Sequence, residues 1–413
     1  MIAPSPSEPL SEWLIWLETI HPVSIDMGLE RVGKVADRLG MRPVSSPLVL
    51  VGGTNGKGST VSMLTAIYVA AGYRVGSYTS PHIHDFRERI QIDGEMASST
   101  EIVDALAFVE GSREPQTLTY FEYTTLAAMC VFQQRLCDVY VLEVGLGGRL
   151  DATNLWDADC SVVTSIALDH EDYLGSDLSV IATEKAAIGR PGKVLVVGDP
   201  DPPMSLQRFA EANGIIVEHI GNLSEAELPQ TRLAGIHQRR NAACAVAVVN
   251  TLSHRLPVEE STITRALLDV VIPARFEELS IQGIPVLLDV AHNPAGAAAL
   301  TVAWCERYPS QQAQVIFACL VDKDLVGIVA ALAPIAAHWH IVPLEGPRTL
   351  SSNELAKQVQ GVVTVPVTPY ASAADACLAA LQCAGENTQP ILIAGSFYTI
   401  ADVRGVLEAA VSP

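Results

Sequence analysis

Basic residues are scarce in this chain. Lysine and arginine number 26 against 46 aspartates and glutamates, leaving a formal charge of −20 at neutral pH. A general nucleic-acid binder needs a basic face, so no nucleic-acid partner is expected. A few local arginines and bound metal ions can still set the field of a cleft that takes small anions. Long apolar runs are also missing. The longest, Leu325 to Ala337, is interrupted by Pro334 and ended by His338, short of the roughly 20 residues that span a bilayer. Met1 to Pro9 has neither a basic start nor an apolar stretch, so neither a signal peptide nor a membrane partner is expected. The eight cysteines form no C-x-x-C pair and mostly lie in apolar runs, which suits buried thiols in a reducing cytoplasm. Internal repeats and low-complexity tracts are not visible.

What is present is a chain of 413 residues, 49% of them apolar, too long for one ordinary core and best divided into two domains. Strand-like apolar runs alternate with helical periodicity throughout. In the first half, strands are expected at Leu48 to Val51, Arg74 to Ser80, Asp138 to Val144, Cys160 to Ala167 and Lys193 to Val197, with a small surface hairpin over Arg87 to Gly94. Helices are expected at 11–20, 101–110, 120–136, 179–188, 204–212, 237–252 and 261–269, the alanine-rich one at 237–252 being buried. Ile272 to Glu277 reads as a linker. Beyond it, strands are expected at 286–290, 314–319, 338–342, 362–367 and 391–394, with helices at 295–307, 325–332, 354–360, 372–382 and 399–409. The fold class is α/β, two domains at 1–272 and 273–413, each a mainly parallel sheet flanked by helices.

One stretch organises the rest. Leu48 to Val51 is a buried strand, and Val61, Met63, Leu64 and Ile67 open a helix. Between them, Gly52-Gly53-Thr54-Asn55-Gly56-Lys57-Gly58-Ser59-Thr60 holds four glycines and a lysine. Glycines let backbone N–H groups crowd around an anion, and the helix N-terminus adds its own donors. Lys57 supplies a charge for phosphates, and Ser59 or Thr60 a hydroxyl for magnesium. The form departs from the usual G-x-x-x-x-G-K-[ST] loop, because Gly58 follows Lys57 and Val51 stands at the first glycine position.

Ligands of open parallel sheets gather past the carboxyl ends of the strands. Here those ends carry the phosphate loop, Thr79-Ser80, Glu143 and Asp169-His170. A carboxylate on a buried strand beside a phosphate loop suits magnesium, and a hydroxyl is a fitting hard oxygen. Read singly, these residues have plainer roles. Ser80 precedes a proline and suits a turn; His170 is an ordinary histidine, Lys185 a solvated helix lysine, and Asn293 a helix cap.

Together the motifs resemble the bifunctional dihydrofolate synthase/folylpolyglutamate synthases of bacteria, in the Mur ligase superfamily. The markers are Gly53 to Ser59, Thr79-Ser80-Pro81-His82, Thr119-Tyr120-Phe121-Glu122, Glu143 to Asn154, Leu168-Asp169-His170, Glu184-Lys185-Ala186, Pro273-Ala274-Arg275-Phe276-Glu277 and Asp289 to Pro294. The resemblance covers nearly the whole length and implies an N-terminal P-loop ATP-binding domain and a C-terminal Rossmann-like glutamate ligase domain. It implies ATP contacts from Thr54, Asn55, Gly56, Lys57, Gly58, Ser59, Asn241, Arg275 and Asp289. It implies one magnesium ion on Ser80 and Glu143, a second on His170, and carbamylated Lys185 supporting the second.

Asp26, Met27, Gly28, Leu29, Thr119, Tyr120, Phe121, Glu122, Leu150, Asp151 and Ala152 match the dihydropteroate-binding segments. Phe121 there offers a flat face to a heterocycle. His292, with Ser396, is placed on the glutamate side, and Lys57, Lys185 and His292 are the catalytic candidates. The implied activity is ATP-dependent addition of L-glutamate to dihydropteroate and to tetrahydrofolate through an acyl phosphate, by a cytoplasmic monomer. A single-activity folylpolyglutamate synthase or a nucleotide-dependent switch are the alternatives. About fifty residues precede the phosphate loop, too few for the extra N-terminal domain of a peptidoglycan-precursor ligase.

Overall fold

A computed structural model describes residues 3–23, 25–346, 349–387 and 389–411. It divides into two compact units, Met1–Arg232 with Arg239–Val270, and Leu233–Gln238 with Val271–Pro413. The first unit holds an eight-stranded sheet. Its strands are β1 (Leu48–Gly52), β2 (Val75–Tyr78), β3 (Ile90–Ile92), β4 (Glu95–Met96), β5 (Val139–Glu143), β6 (Cys160–Val163), β7 (Val194–Val197) and β8 (Ile216–His219), in the order β4-β3-β2-β5-β1-β6-β7-β8. β1 runs parallel to both neighbours and all five of its residues are buried. That is the burial expected of an apolar run with no polar alternation.

Register places the strand tips. Val51 lies beside Glu143, Tyr78 beside Leu142, and Gly52 beside Val163. The chain therefore leaves β2, β5, β1 and β6 at four adjacent points along one edge of the sheet, each at a carboxyl end. Behind them the helix Tyr120–Gln134 is buried over most of its length. Trp16 packs edge-on against both Trp13 and Tyr123, and each such buried aromatic contributes about 1.5–3 kcal/mol by removal from water.

The second unit holds a six-stranded sheet: β9 (Glu277–Ile281), β10 (Ile284–Leu288), β11 (Ala313–Phe317), β12 (Ala336–Ile341), β13 (Val367–Pro369) and β14 (Ile391–Ala394), in the order β13-β12-β11-β14-β10-β9. All its pairings are parallel except β9 with β10.

The small hairpin expected near the surface forms as β3 and β4, which pair antiparallel, and β3 also pairs antiparallel with β2 so that the hairpin extends the first sheet. Three local expectations need correction. Glu277, expected at the end of a linker, begins β9, which turns into β10 through Gln282 (φ 53°) and Gly283 (φ 83°). Both left-handed residues suit the tight turn that matches strand twist. The strand expected at 362–367 starts only at Val367, because the N–H groups of Val362 and Val363 close the preceding helix on Val359 O and Pro366 has no N–H to give. β8 was not expected; its exposure alternates at the sheet edge.

Six of the eight cysteines are buried, Cys383 is half-buried and Cys305, on the helix Pro294–Arg307, is exposed. Among the described residues no helix is long and apolar enough to cross a membrane.

Candidate active site

β1 feeds a loop that closes on the helix Lys57–Ala70. Gly53 (φ 138°) passes so close to the exit of β6 that a Cβ would stand 2.0 Å from Thr164 Oγ1. Gly56 (φ 87°) lies against Asn241, where a Cβ would stand 2.4 Å from Oδ1. Both backbone angles and both spaces require glycine. Thr54 N donates to Ser165 O at 2.7 Å, Asn55 N to Ser165 Oγ at 3.0 Å, and Thr164 Oγ1 to Asn55 O at 2.6 Å. The loop is thus clamped before any ligand arrives. Lys57 Nζ donates to Gly53 O and Thr54 O at 3.2 and 3.0 Å.

Two observations show that these residues fit metal-bound polyphosphate. Ser59 Oγ is buried with no hydrogen-bond partner, a cost of about 1–3 kcal/mol unless a ligand satisfies it. Beside it the donor set is hard oxygen. Glu143, 5% exposed, accepts Ser80 N at 3.1 Å, and its Oε2 lies 3.5 Å from where a Cβ on Gly58 would be. Carboxylate and hydroxyl oxygen suit magnesium. His170 is exposed, sits at φ 53° before the short helix Glu171–Leu174, and its N donates to Asp169 Oδ1 at 2.9 Å. Thr54, Lys57, Gly145, Asp169, His170 and Lys185 border one recess.

Lys185 is not the solvated lysine that its sequence neighbourhood suggests. It is 4% exposed near the end of the helix Leu178–Ala186. Gly148 lets the Glu143–Asn154 segment press onto it, since a Cβ there would stand 3.2 Å from Lys185 Cα and 2.5 Å from Glu184 O. Burial pulls the amine down to about 7, helped by the positive charge of Lys57 and opposed by Asp169.

The segments matched to dihydropteroate binding converge. Arg31 bonds Asp26 through both its carboxylate and its carbonyl, and donates to Glu122 Oε2 at 2.9 Å. Glu122 Oε2 also accepts Thr119 N at 2.8 Å, while its Oε1 is buried without a partner. The ring of Phe121 lies over Gly145, 2.6 Å from a would-be Cβ, and 5.7 Å from the Tyr78 ring. Met27 Cε comes within 3.9 Å of the Cβ position of Gly147. Asp151 is buried and accepts Leu146 N, Thr153 N and Thr153 Oγ1 at 2.9, 3.0 and 2.6 Å. Burial pushes its pKa up against those donors, and its carboxylate ties the loop that starts at Gly145. Leu150 and Ala152 flank it on that loop. Arg31 was missed from sequence; its signal was its place one turn beyond Asp26.

In the second unit, Asp289 follows β10. It accepts Phe276 N and Ala291 N, both at 2.9 Å. Ala274 (φ 55°) and Phe276 (φ 50°) are left-handed without being glycine, a strain of about 1 kcal/mol or more each that the Asp289 bond helps hold. Arg275 Cζ lies 5.7 Å from the Phe397 ring centroid, and the His292 ring 5.9 Å from it. Arg275, Asp289 and His292 therefore share one end of the second sheet. Asn293 does cap the helix Pro294–Arg307, accepting Gly296 N at 2.8 Å. Ser396 Oγ accepts Thr399 N at 3.0 Å, so that hydroxyl caps the helix Phe397–Val411.

Known proteins share this layout. The dihydrofolate synthase/folylpolyglutamate synthase of Escherichia coli is 38% identical over 420 residues, covering 98% of this chain and 97% of that one. The chain belongs to the dihydrofolate synthase/folylpolyglutamate synthase family. Within it, residues 51–226 match the Mur ligase middle domain and 274–397 the Mur ligase glutamate ligase domain. The solved E. coli FolC in complex with DHPP and ADP superposes with a TM-score of 0.91 at 36% identity, over 99% of this chain and all of that one. The Yersinia pestis bifunctional enzyme of this family, complexed with AMPPNP and Mn ion, gives 0.89 at 37% identity, over 98% and 100%.

Proposed function

We propose that this chain is an ATP-dependent ligase that joins L-glutamate to dihydropteroate, forming dihydrofolate, and to tetrahydrofolate, extending its glutamate tail. Residues 1–272 form the nucleotide and pterin domain, and 273–413 the glutamate ligase domain. The observation that carries the reading is the buried, unpartnered Ser59 hydroxyl in a glycine-lined loop beside Glu143. The reaction must activate a carboxylate, which is a poor electrophile. An oxygen of the acceptor's carboxylate attacks the γ-phosphorus of ATP, and ADP leaves with the bridging oxygen. The glutamate α-amine then attacks the acyl carbon, phosphate leaves, and the amine loses a proton.

Thr54, Asn55, Gly56, Lys57, Gly58 and Ser59 hold the phosphates, with Asn241, Arg275 and Asp289 as further ATP contacts. Magnesium fits Ser80 and Glu143, with a second ion on His170, and supplies neutralisation of the charge that gathers when two anions meet. Lys185 carries a carbamate, which turns a buried cation into an oxygen anion beside that second ion. Its amine, brought down to about 7, is substantially neutral at cellular pH, as attack on carbon dioxide requires. Asp26 to Leu29, Thr119 to Glu122 and Leu150 to Ala152 hold the pterin, and the unpartnered Glu122 Oε1 suits the N–H edge of its ring. His292 Nδ1 lies 3.0 Å from Val290 O; a carbonyl only accepts, so Nδ1 donates and Nε2 is the acceptor nitrogen, the form a base for the glutamate amine needs. The protein works as a cytoplasmic monomer.

Phosphate release from ATP tests this. The expected result is release only when glutamate and a pteroate or folate are both present, with either dihydropteroate or tetrahydrofolate serving. Release without them would return the chain to the class of nucleotide switches. Release with tetrahydrofolate alone would make it a single-activity folylpolyglutamate synthase.

A further inference from the structure

The two acceptors differ by one charged group. Dihydropteroate ends in the aryl carboxylate that reacts. A folate reacts through the γ-carboxylate of its glutamyl tail and carries a spectator α-carboxylate beside it. A site serving both needs a cation that the phosphate-binding machinery does not already use, close to the tips of β2 and β5.

Arg89 meets that need. It ends the turn Phe86–Arg89 just before β3, and its carbonyl accepts Thr79 N at 3.0 Å, which sets it alongside the chain entering Ser80. Its guanidinium lies beside the edge-to-face pair of Phe86 and Tyr120, whose centroids are 6.1 Å apart, with Cζ 5.8 Å from the centroid of Phe86 and 5.7 Å from that of Tyr120. Tyr120 belongs to the pterin-binding segment itself. Arg89 Nε donates to His82 Nδ1 at 2.9 Å, which fixes the plane of the fork. Among the described residues no carboxylate pairs with it. The two acids closest in sequence are engaged elsewhere. Asp85 is held by Arg87 Nε and Nη2 at 2.9 and 2.6 Å. Glu88 accepts the backbone N–H groups of Ile83, His84 and Asp85 at 2.7, 2.7 and 2.8 Å. In a chain with 46 acidic residues, a half-buried guanidinium left without one is notable for what it can still bind. A planar fork set against two rings and held by His82 is pre-organised for an external carboxylate.

Resting on the ligase reading above, we propose that Arg89, packed beside Phe86 and Tyr120 and oriented by His82, binds the spectator α-carboxylate of the folate's glutamyl tail. His82 is a positioning residue, since it acts through Arg89.

The test compares wild type with Arg89→Gln on two acceptors: tetrahydrofolate, and the analogue bearing γ-aminobutyrate in place of the glutamyl residue. The analogue keeps the reacting carboxylate and lacks the spectator. Wild type should lose roughly 10- to 100-fold in kcat/KM on passing to the analogue, the range for a charge-assisted hydrogen bond. Arg89→Gln should lose a similar factor on tetrahydrofolate and show little further loss on the analogue, a coupling that a merely structural role would not produce. Arg89→Lys should recover part of the loss. Equal losses from Arg89→Gln on both acceptors would overturn the proposal. So would a rise in the KM of L-glutamate that is the same with either acceptor, which would assign Arg89 to the incoming amino acid. Should Arg89→Gln fail to fold, the wild-type arm still decides, because a wild type indifferent to the missing carboxylate refutes the idea. A wild type that turns over no acceptor at all refutes the ligase reading instead.

Discussion

Two lysines of the first unit border one recess, and they answer to different tests. Lys57 reaches back over the loop carbonyls, and the proposed ligase reaction sets phosphate against it. Removing one such charge partner costs about 2–4 kcal/mol of transition-state stabilisation. Lys57→Ala is therefore expected to lose roughly 30- to 1000-fold in kcat/KM, measured by phosphate release. Lys185 is buried and its amine stands near 7, so its neutral fraction grows as pH rises through neutrality. Activity of protein stripped of bicarbonate should recover on adding bicarbonate, more fully at pH 8 than at pH 6, because only the neutral amine attacks carbon dioxide. Lys185→Ala should be inactive and partly rescued by small carboxylates such as acetate. Bicarbonate-independent activity together with failed rescue would remove the carbamate.

At the scale of elements, β12 brings a titration of its own. His338 and His340 project from the same face of the strand with their rings stacked at 4.3 Å. His340 is wholly buried, with Nδ1 3.0 Å from Tyr370 Oη and Nε2 2.9 Å from Gln314 Oε1. Burial, and then the charge of His338, holds its pKa down to about 3. The unfolded chain takes up a proton near pH 6.5, whereas the folded one resists until about 3. Stability is therefore full above pH 6.5 and lost progressively as pH falls toward 3, by about 5 kcal/mol in all. His340→Gln, which keeps hydrogen-bonding capacity without titrating, should show a flatter fall in denaturation midpoint between pH 7 and pH 4. An unchanged slope would show that His340 is not the group responsible.

The same scale shows what could be read from the chain. β1, β5 and β14 are apolar runs buried on both faces and read as strands without help. β8, β9 and β13 sit at or next to sheet edges, short and partly polar, so their hydrogen bonds rather than their composition define them. Contiguous motifs such as Gly53 to Ser59 announced themselves because strand, loop and helix occur together. Arg89 did not, since its availability depends on Asp85 and Glu88 being committed to other donors, which no spacing reveals. The burial of Lys185 was hidden for a like reason: it depends on Gly148, far away in sequence, allowing one segment to press on another.

On the scale of the whole molecule, each unit has its own sheet and its own tryptophans, Trp13, Trp16 and Trp156 in the first and Trp304 and Trp339 in the second. Ligand bound only to the folded state at 100 times its Kd stabilises by about 2.7 kcal/mol. ADP with magnesium should accordingly raise the melting midpoint reported by first-unit tryptophans by roughly 5–10 °C, given the usual scaling for a unit of this size. This is measured with single-tryptophan variants. No movement of that midpoint would take the nucleotide away from the loop after β1.

The distribution of thiols has a practical corollary. Burial pushes Cys130, Cys137, Cys160, Cys244, Cys319 and Cys377 up to about 12, so they are protonated and shielded at neutral pH. Cys305 stands exposed on the helix Pro294–Arg307. A maleimide fluorophore at pH 7 should therefore tag this one position ahead of the others. The native chain thus comes with a built-in handle for following its second unit through a catalytic cycle, without first engineering any cysteine away.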